Sequence, residues 1–475
     1  MLKHGFYPSP MNFGCINPIV KSHLKSITDS SNYRAISLTS AVCKIFDHLI
    51  LTREQDKLNT NCNQFAYKRK HSTDMCTMVL KDVVSYYTSD RTDVFCVMLD
   101  ASKAFDRINI IKLMNILISR KLSPSVLRVL LYMLITQQSL VIWNGFLSDI
   151  FYHTNGSRQG SILSAILFIV YFDILLSRLI DSRIGCNMLG VLINVLAYAD
   201  DVTLLSPTVG GMQKLLNICE HYAKEFDVKF NPEKSECICF RAKGCPPIER
   251  IPVFMMNDER LLKWKNEITH LGHELSYNLS DTSDIKSKSA QLCSKADQIS
   301  TNYHFVHEKV KVRLLLQTAC SFFGSVIYDL DSSDISKLNN ALKKSLRKLW
   351  DLPYDSRSRI VLKISECNPV HYTVIKRMQN YMLNCESVHN SIVNFMLRLS
   401  NSSYSRTISG RNRIFLYNAL SFKEYIFHPV KHIKLTDTES YCIDSLQELF
   451  DQRFNSNSYF TYKEIQSLID FFSTM

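Results

Sequence analysis

Repeated CxxC pairs are missing from this 475-residue sequence, although it holds 15 cysteines. Scattered thiols in a chain of this length argue against a disulfide framework and for a reducing, intracellular setting. Cys237, Cys239 and Cys245 form the densest group, but no second ligand pair follows at zinc spacing, so strand and loop cysteines are expected there. The N-terminus, MLKHGFYPSPMN, has no apolar h-region, so no signal peptide is expected. The longest apolar run near the middle, Ser161 to Phe172, is broken by Asp173 and is too short to span a bilayer. No membrane partner is therefore expected, and the place of action is expected to be the cytoplasm, the nucleus or both. Repeat periods and low-complexity tracts are also missing, which excludes solenoids and arrays.

What is present describes a folded chain. Hydrophobic residues make up 46% and charged residues 21%, a globular balance. The length allows two or more domains with a sizeable core. The formal charge is +12 and the pI about 8.9. A basic surplus of that size favours an anionic partner, nucleic acid before membrane.

The most informative stretch is Val191 to Leu205, VLINVLAYADDVTLL. Two Val/Leu/Ile-rich flanks read as buried strands. Tyr198-Ala199-Asp200-Asp201 falls where a hairpin would turn. Asp-Asp alone fits a solvated surface turn. Buried carboxylates, by contrast, need a partner or a cation, and Mg²⁺ favours carboxylate oxygens together with substrate phosphates. A second apolar run, VFCVMLD at 94–100, reads as a buried strand delivering Asp100 at its C-terminal end. If the two strands are antiparallel neighbours, Asp100, Asp200 and Asp201 converge as a two-metal phosphoryl-transfer site requires.

The rest of the chain supplies context. Helices are expected from about Ala41 to Leu51, from Ser72 or Thr73 to about Tyr87, and in two pieces over 110–140 separated by Leu122-Ser123-Pro124. Asn144-Gly145 marks a hairpin turn. The turn Asn155 to Ser161 opens an apolar helix from Ile162 to Leu179, with Arg158 and Gln159 as added donors at an anion-friendly helix start. Gly210-Gly211 precedes a helix over Met212 to Phe226, and a strand follows at Glu236 to Phe240. From Thr282 the pattern turns to long helices. Arg34 is either a surface cation or a triphosphate contact. Lys68, Arg69, Lys70 and His71 suit a solvated loop or, beside Phe65 and Tyr67, a nucleic-acid strand. Lys343, Lys344, Arg347 and Lys348 share one broad helix face.

Taken in order, these segments resemble the reverse transcriptases of non-LTR (LINE-type) retrotransposons over roughly residues 10–365. VMLDASKAFDRIN is similar to that family's motif A, SRQGSILSAILFIVYFDILL to motif B, YADD to motif C, FNPEKSECICF to motif D and THLGHEL to motif E. INPIVK, NYRAISL and QFAYKRKHST resemble its finger motifs, and RKLWDLPYDSRSR a thumb signature.

The resemblance implies an α+β right-hand polymerase: fingers over 1–90, a palm of antiparallel sheet with packed helices over 91–280, a finger insertion at about 110–155, a helical thumb over 281–365, and a region of unassigned role over 366–475. It implies RNA-directed DNA polymerase activity, with an RNA template, a DNA primer and dNTPs as partners, and two Mg²⁺ ions (or Mn²⁺) as cofactors. Asp100, Asp200 and Asp201 would hold the metals. Phe105 would be the steric gate against a 2′-hydroxyl, with Ala101 and its neighbours beside the triphosphate and Arg34 reaching it from the fingers. Gln159 and Gly160 would line the nascent base pair. Lys234 would sit at the leaving pyrophosphate as a general acid. Leu271 and Gly272 would support the primer end. Lys68 and Arg69, with Lys343, Lys344, Arg347 and Lys348 of the thumb helix, would follow nucleic-acid phosphates.

Against the family pattern, Ala35 and Ala165 stand where proline is usual, and the family usually has glycine near Lys70; these changes bear on turn geometry rather than on metal chemistry. The chain is expected to be an N-terminally truncated copy without the family's upstream endonuclease. The competing expectation is an inactive or domesticated remnant that binds RNA without polymerising.

Overall fold

The computed structural model describes residues 1–421, apart from 23–25, 103, 250–251, 253, 257–259, 321, 323, 331–333, 355, 357 and 402–405. Of the C-terminal region over 366–475, residues 422–475 lie outside the described residues, as do Lys25, Lys103 and two positions of the thumb signature. The chain divides into two compact units. The first comprises residues 1–271, 275–279 and 387–396; the second comprises 272–274, 280–386 and the described residues from 397.

Among the described residues the first unit holds two five-stranded sheets, beside smaller two-stranded pairs. One begins with β1 (Phe13–Val20) and β2 (Tyr33–Leu38), paired antiparallel. After helices α1 (Ala41–Arg53), α2 (Thr73–Ser89), α3 (Ile110–Ser119) and α4 (Pro124–Ile135), strand β4 (Gln138–Trp143) joins β1 in parallel. β4 also hairpins onto Phe146–Leu147, with Asn144 and Gly145 both at positive φ. That pair of dihedrals is what a two-residue turn needs to match strand twist, and Asn-Gly provides it with least strain.

The second sheet carries the acids. Its order is Lys263–Trp264, β7 (Glu236–Phe240), β3 (Val94–Leu99), β6 (Asp201–Ser206) and β5 (Val195–Tyr198). β3 is paired antiparallel on both sides, with β6 and with β7. A strand so placed has no polar face to show, which is why its sequence is a continuous apolar run rather than an alternating one.

Helix α5 (Ile162–Asp181) is the core beneath this sheet. Eleven of its residues are buried, among them Phe168, Tyr171 and Phe172. By length and hydropathy it could cross a membrane, contrary to the sequence expectation that Asp173 cuts the run short. In the fold Asp173 is satisfied internally: its carboxylate receives the Arg120 guanidinium at 2.7 Å and both the backbone and side-chain N–H of Asn61 at 2.8 Å. Helix α6 (Val209–Glu225) closes the unit and starts earlier than expected, so Gly210 and Gly211 form its first turn. A Cβ on Gly211 would fall 2.5 Å from the Ser206 hydroxyl and 2.8 Å from that of the capping Thr208.

In the second unit, apart from His273 and Glu274 at the start of a short strand, the elements among the described residues are helical. It includes α7 (Thr282–Asn302), α8 (Glu308–Thr318) and α9 (Ile335–Leu349), with α9 burying Leu338, Leu342, Leu346 and Leu349 on one face. That spacing of three and four residues is the apolar stripe of an amphipathic helix.

Candidate active site

The acids are placed by backbone register. The pairing of β6 with β3 ends at Val202 and Leu99, so Asp201 and Asp100 are the next residue on each chain at the same end of the sheet. β5 and β6 pair Tyr198 with Asp201, which leaves Ala199 and Asp200 as the two turn residues. Ala199 has φ 58°, whereas Asp200 does not take a positive φ. Positive then negative φ is the dihedral pattern of a II′ hairpin turn, whose first position usually takes glycine.

The three carboxylates feel one another. Burial at the end of the apolar sheet pushes the Asp201 carboxyl up to about 6, helped by the negative charges of Asp200 and Asp100. Asp200 is also raised, first by burial and then by Asp100, with the Arg34 guanidinium opposing. Asp201 still reaches solvent, as a metal ligand must. Hard oxygen donors that repel one another suit Mg²⁺ or Mn²⁺. Among the described residues no group of three acidic, histidine or cysteine side chains is arranged so that it could hold an ion, so the fit rests on donor chemistry and on the strands that carry the acids.

Asp100 is held from its other side. Its N–H donates to the Ser235 hydroxyl at 3.2 Å, and its carbonyl accepts the Asn231 N–H at 2.8 Å. Ala101 bridges Phe230, and the Ser102 N–H donates to the Lys229 carbonyl. The turn after Phe230 thereby brings Lys234 to the acids, its Nζ 3.7 Å from the Asp100 carboxylate.

Phe105 lies half-buried in a short 3-10 turn and stacks on Phe168 of α5 at 4.3 Å between centroids. The Phe105 carbonyl accepts the Ser157 N–H at 3.0 Å. At Gly156, with φ 86°, a Cβ would fall 2.8 Å from the Asp106 Cα, so the loop before α5 lies flush on the loop after β3. The same loop meets β2: the Ser37 N–H donates to the Gln159 carbonyl at 2.7 Å, and a Cβ on Gly160 would fall 2.5 Å from the Ser37 carbonyl oxygen. Arg34 is exposed on that strand. Arg158 is buried, and its guanidinium donates to the carbonyls of Asn12 and Gln138. It joins the first sheet to the loop instead of presenting donors to an anion, which corrects the sequence expectation.

The basic groups divide. Lys68 turns inward and donates to the carbonyls of Thr60 (3.1 Å) and Asn61 (2.5 Å); burial pulls its ammonium down to about 8. Arg69 is exposed, and Lys70 takes φ 65°, the left-handed conformation that the glycine usual nearby would favour. Phe65 is fully buried, so it cannot stack on bases; Tyr67 is half exposed. Leu271 and Gly272 make a turn, both at positive φ. On α9, Lys344 is exposed, Lys348 pairs with Asp297 at 2.6 Å, and Lys343 is half-buried. Arg347 donates to the Ser356 carbonyl and the Ser358 hydroxyl, with Tyr354 under its guanidinium.

Three side chains at this site escaped the sequence reading: Asn63, Gln64 and Ser235. Each is buried and polar and bonds to the backbone of the acid-bearing strands or their turn. The usable signal was three amides within four residues, Asn61, Asn63 and Gln64, directly before a core phenylalanine.

An α+β chain whose central antiparallel sheet ends in these acids has the fold of the right-hand polymerases. The family model for reverse transcriptase (RNA-dependent DNA polymerase) matches residues 21–275, and the chain belongs to that family. The resemblance to enzymes of non-LTR elements drawn from the motifs holds at the level of relatives. The chain is 23% identical over 378 residues to the RNA-directed DNA polymerase from mobile element jockey of Drosophila melanogaster, covering 76% of this chain and 40% of that one. It is 21% identical over 439 residues to the probable RNA-directed DNA polymerase from transposon BS of the same fly, covering 86% and 46%. The chain thus spans less than half the length of these relatives. Among solved structures it is similar to apo telomerase from Candida tropicalis, at 12% identity and TM-score 0.44, covering 92% of this chain and 69% of that one.

Proposed function

We propose that the chain is an RNA-directed DNA polymerase that adds dNTPs to a primer 3′-hydroxyl on an RNA template. The observation that carries this reading is the antiparallel pairing of β6 with β3, which ends at Val202 and Leu99 with Asp201 and Asp100 next on each chain and Asp200 at the adjoining turn. In the reaction the primer hydroxyl attacks the α-phosphate of the dNTP, and pyrophosphate leaves. Asp100, Asp200 and Asp201 would hold two Mg²⁺ ions, which when bound supply Lewis-acid stabilisation of the attacking and leaving oxygens. Lys234, next to Asp100, is the group to protonate the departing pyrophosphate. Arg34 faces the triphosphate with a planar donor fork. Phe105, fixed by its stack on Phe168, would be the gate that refuses a ribose 2′-hydroxyl. Gln159 and Gly160, pinned on β2, line the base pair.

Residues up to 90 act as fingers, 91–280 as palm with the insertion at about 110–155, and 281–365 as thumb. Arg69 and Lys344 are the strongest phosphate contacts among the basic residues, because both are exposed. Lys343, Lys348 and Arg347 contribute less, and Lys68 supports the turn behind Arg69. Leu271 and Gly272 shape the turn beneath the primer end.

The test is primer extension on poly(rA)–oligo(dT) with Mg²⁺ and dTTP, comparing the natural chain with an Asp200→Asn, Asp201→Asn variant. Extension by the first and not by the second is expected. Salt-dependent RNA binding without extension by either would establish instead a remnant that binds without polymerising.

A further inference from the structure

The turn that carries Asp200 has no intrinsic reason to hold its shape. Ala199, its first residue, sits at φ 58° with a Cβ in place. Residues other than glycine avoid that region, so a hairpin built on alanine needs support from outside itself.

Gln64 provides that support. Its side chain is fully buried. Its Oε1 accepts the Ala199 N–H at 2.9 Å, and its Nε2 donates to the Ala199 carbonyl at 3.2 Å. The amide orientation is forced by its partners, because a backbone N–H can only donate and a carbonyl can only accept. One planar amide therefore grips both peptide groups of one residue and so fixes the two dihedrals between them. The same Oε1 also accepts the Ala66 N–H at 3.0 Å, which locks the gripping side chain to its own loop.

The loop is itself anchored along β5. The Ala197 N–H donates to the Asn63 carbonyl and the Phe65 N–H to the Ala197 carbonyl, both at 2.8 Å, while the Asn63 side chain donates to the Val195 carbonyl at 2.7 Å. Gln64 bridges Ala197 in parallel. Upstream, Asp173 holds Asn61, and Lys68 holds the carbonyls of Thr60 and Asn61.

We propose that Gln64 is a positioning residue for the metal-binding acids: its amide holds Ala199 in the left-handed conformation that aims Asp200 and Asp201. The proposal rests on the polymerase reading for its consequence in catalysis, but its structural half stands apart from activity. A catalytic constellation works only when its supporting groups hold it to within about half an ångström. The segment QFAYKRKHST thus acts on the acids from behind, through its first residue, as well as presenting Arg69 to solvent.

The test uses the full chain and two readouts. The first is hydrogen–deuterium exchange of peptides covering 195–202, compared with peptides in α3, α5 and α7. The second is the Mg²⁺ concentration for half-maximal primer extension, with primer–template affinity measured alongside. Gln64→Leu is expected to speed exchange at 195–202 only, and to raise the Mg²⁺ requirement about tenfold or more, as loss of an outer-shell partner does, while primer–template affinity stays within about twofold. Gln64→Glu keeps the acceptor for the Ala199 N–H but sets an oxygen against the Ala199 carbonyl. It is expected to give a smaller change in the same direction, and it carries the test if Gln64→Leu does not fold. Ala199→Gly removes the need for the clamp, so in that background Gln64→Leu is expected to raise the Mg²⁺ requirement by no more than about threefold.

Unchanged exchange at 195–202, faster exchange throughout the first unit, or an equal Mg²⁺ penalty with alanine and glycine at 199 would each overturn the proposal. A natural chain that extends no primer would sink the polymerase reading alone, since the exchange measurement needs no turnover.

Discussion

The acid-bearing hairpin and the basic helix α9 are both dense in charge, yet they are built on different terms. In the hairpin, backbone register and three buried polar side chains fix where each acid stands. On α9, helix periodicity gathers four cations, but the surroundings use two of them: Lys348 meets Asp297 and Arg347 ties down Ser356 and Ser358. The sheet buries the acids and brings like charges together: burial first, and then the neighbouring carboxylates, push Asp200 and Asp201 up. The helix lets opposite charges settle. A cluster held against its own electrostatics is built for a ligand; a cluster neutralised by its neighbours is mostly structure.

The sharpest way to break this contrast is to neutralise one charge in each place. Asp201→Asn is expected to cut dTMP incorporation by at least about a hundredfold, the scale of losing one preorganised electrostatic group, with duplex binding little changed. Lys348→Ala is expected to leave single-site incorporation within about twofold, since an exposed pair contributes little. Comparable losses from the two substitutions, read by single-nucleotide incorporation, would erase the distinction.

Stability gives the next largest effect. Asp173→Ala removes the carboxylate that Arg120 and Asn61 share, leaving Arg120 only the Lys57 and Asn59 carbonyls and the Asn61 side chain only the Ser177 hydroxyl, and is expected to cost about 3 kcal/mol in urea unfolding. Removing the Lys348–Asp297 pair on α9 is expected to cost less than about 1 kcal/mol.

Acidity sharpens the comparison further. The folded Asp201 carboxyl titrates near 6, above its ordinary 3.8, so the metal-free fold binds a proton more tightly than the unfolded chain does. This group's contribution therefore favours the fold at low pH and is lost as pH rises from about 4 through about 6. Mg²⁺ has to displace that proton, so the Mg²⁺ requirement is expected to climb as pH falls below about 6. Because Asp200 helps raise Asp201, Asp200→Asn is expected to move the Asp201 midpoint down, as read by carboxyl NMR of the metal-free protein.

The smallest effect belongs to Lys344, which is exposed on α9. Lys344→Ala is expected to lower the slope of log affinity against log salt for an RNA–DNA duplex by about one, as loss of one phosphate contact does. Lys343→Ala, at a half-buried position, is expected to change it less.

Where the code is local, the sequence was readable. Asn144-Gly145 announces its turn, Ser72 and Ser161 cap their helices, and VFCVMLD announces a strand covered on both faces. Asp100, Asp200 and Asp201 could be brought together on paper because a period of two and an antiparallel register need no side-chain detail. What escaped depends on contacts across long separations. Gln64 meets Ala199 across 135 residues, and Ser235 meets Asp100 across the same number. Arg158 and Lys68 have donors suited to phosphate, and only the fold reveals that carbonyls have taken them. Gly211 looked like a connector and is instead a helix first turn pressed against two hydroxyls. Residue type says which bonds a side chain is able to make; burial decides which it does make.

The most direct test of the central claim, that strand register makes one metal site of the three acids, is a Mn²⁺ titration followed by electron paramagnetic resonance. It would use the natural chain with a template–primer duplex and a nonhydrolysable dNTP, beside Asp100→Asn, Asp200→Asn and Asp201→Asn separately. Two ions on the natural chain, with loss of at least one tight ion in each variant, is the result the account predicts. Equal Mn²⁺ stoichiometry and affinity in all four proteins would contradict it.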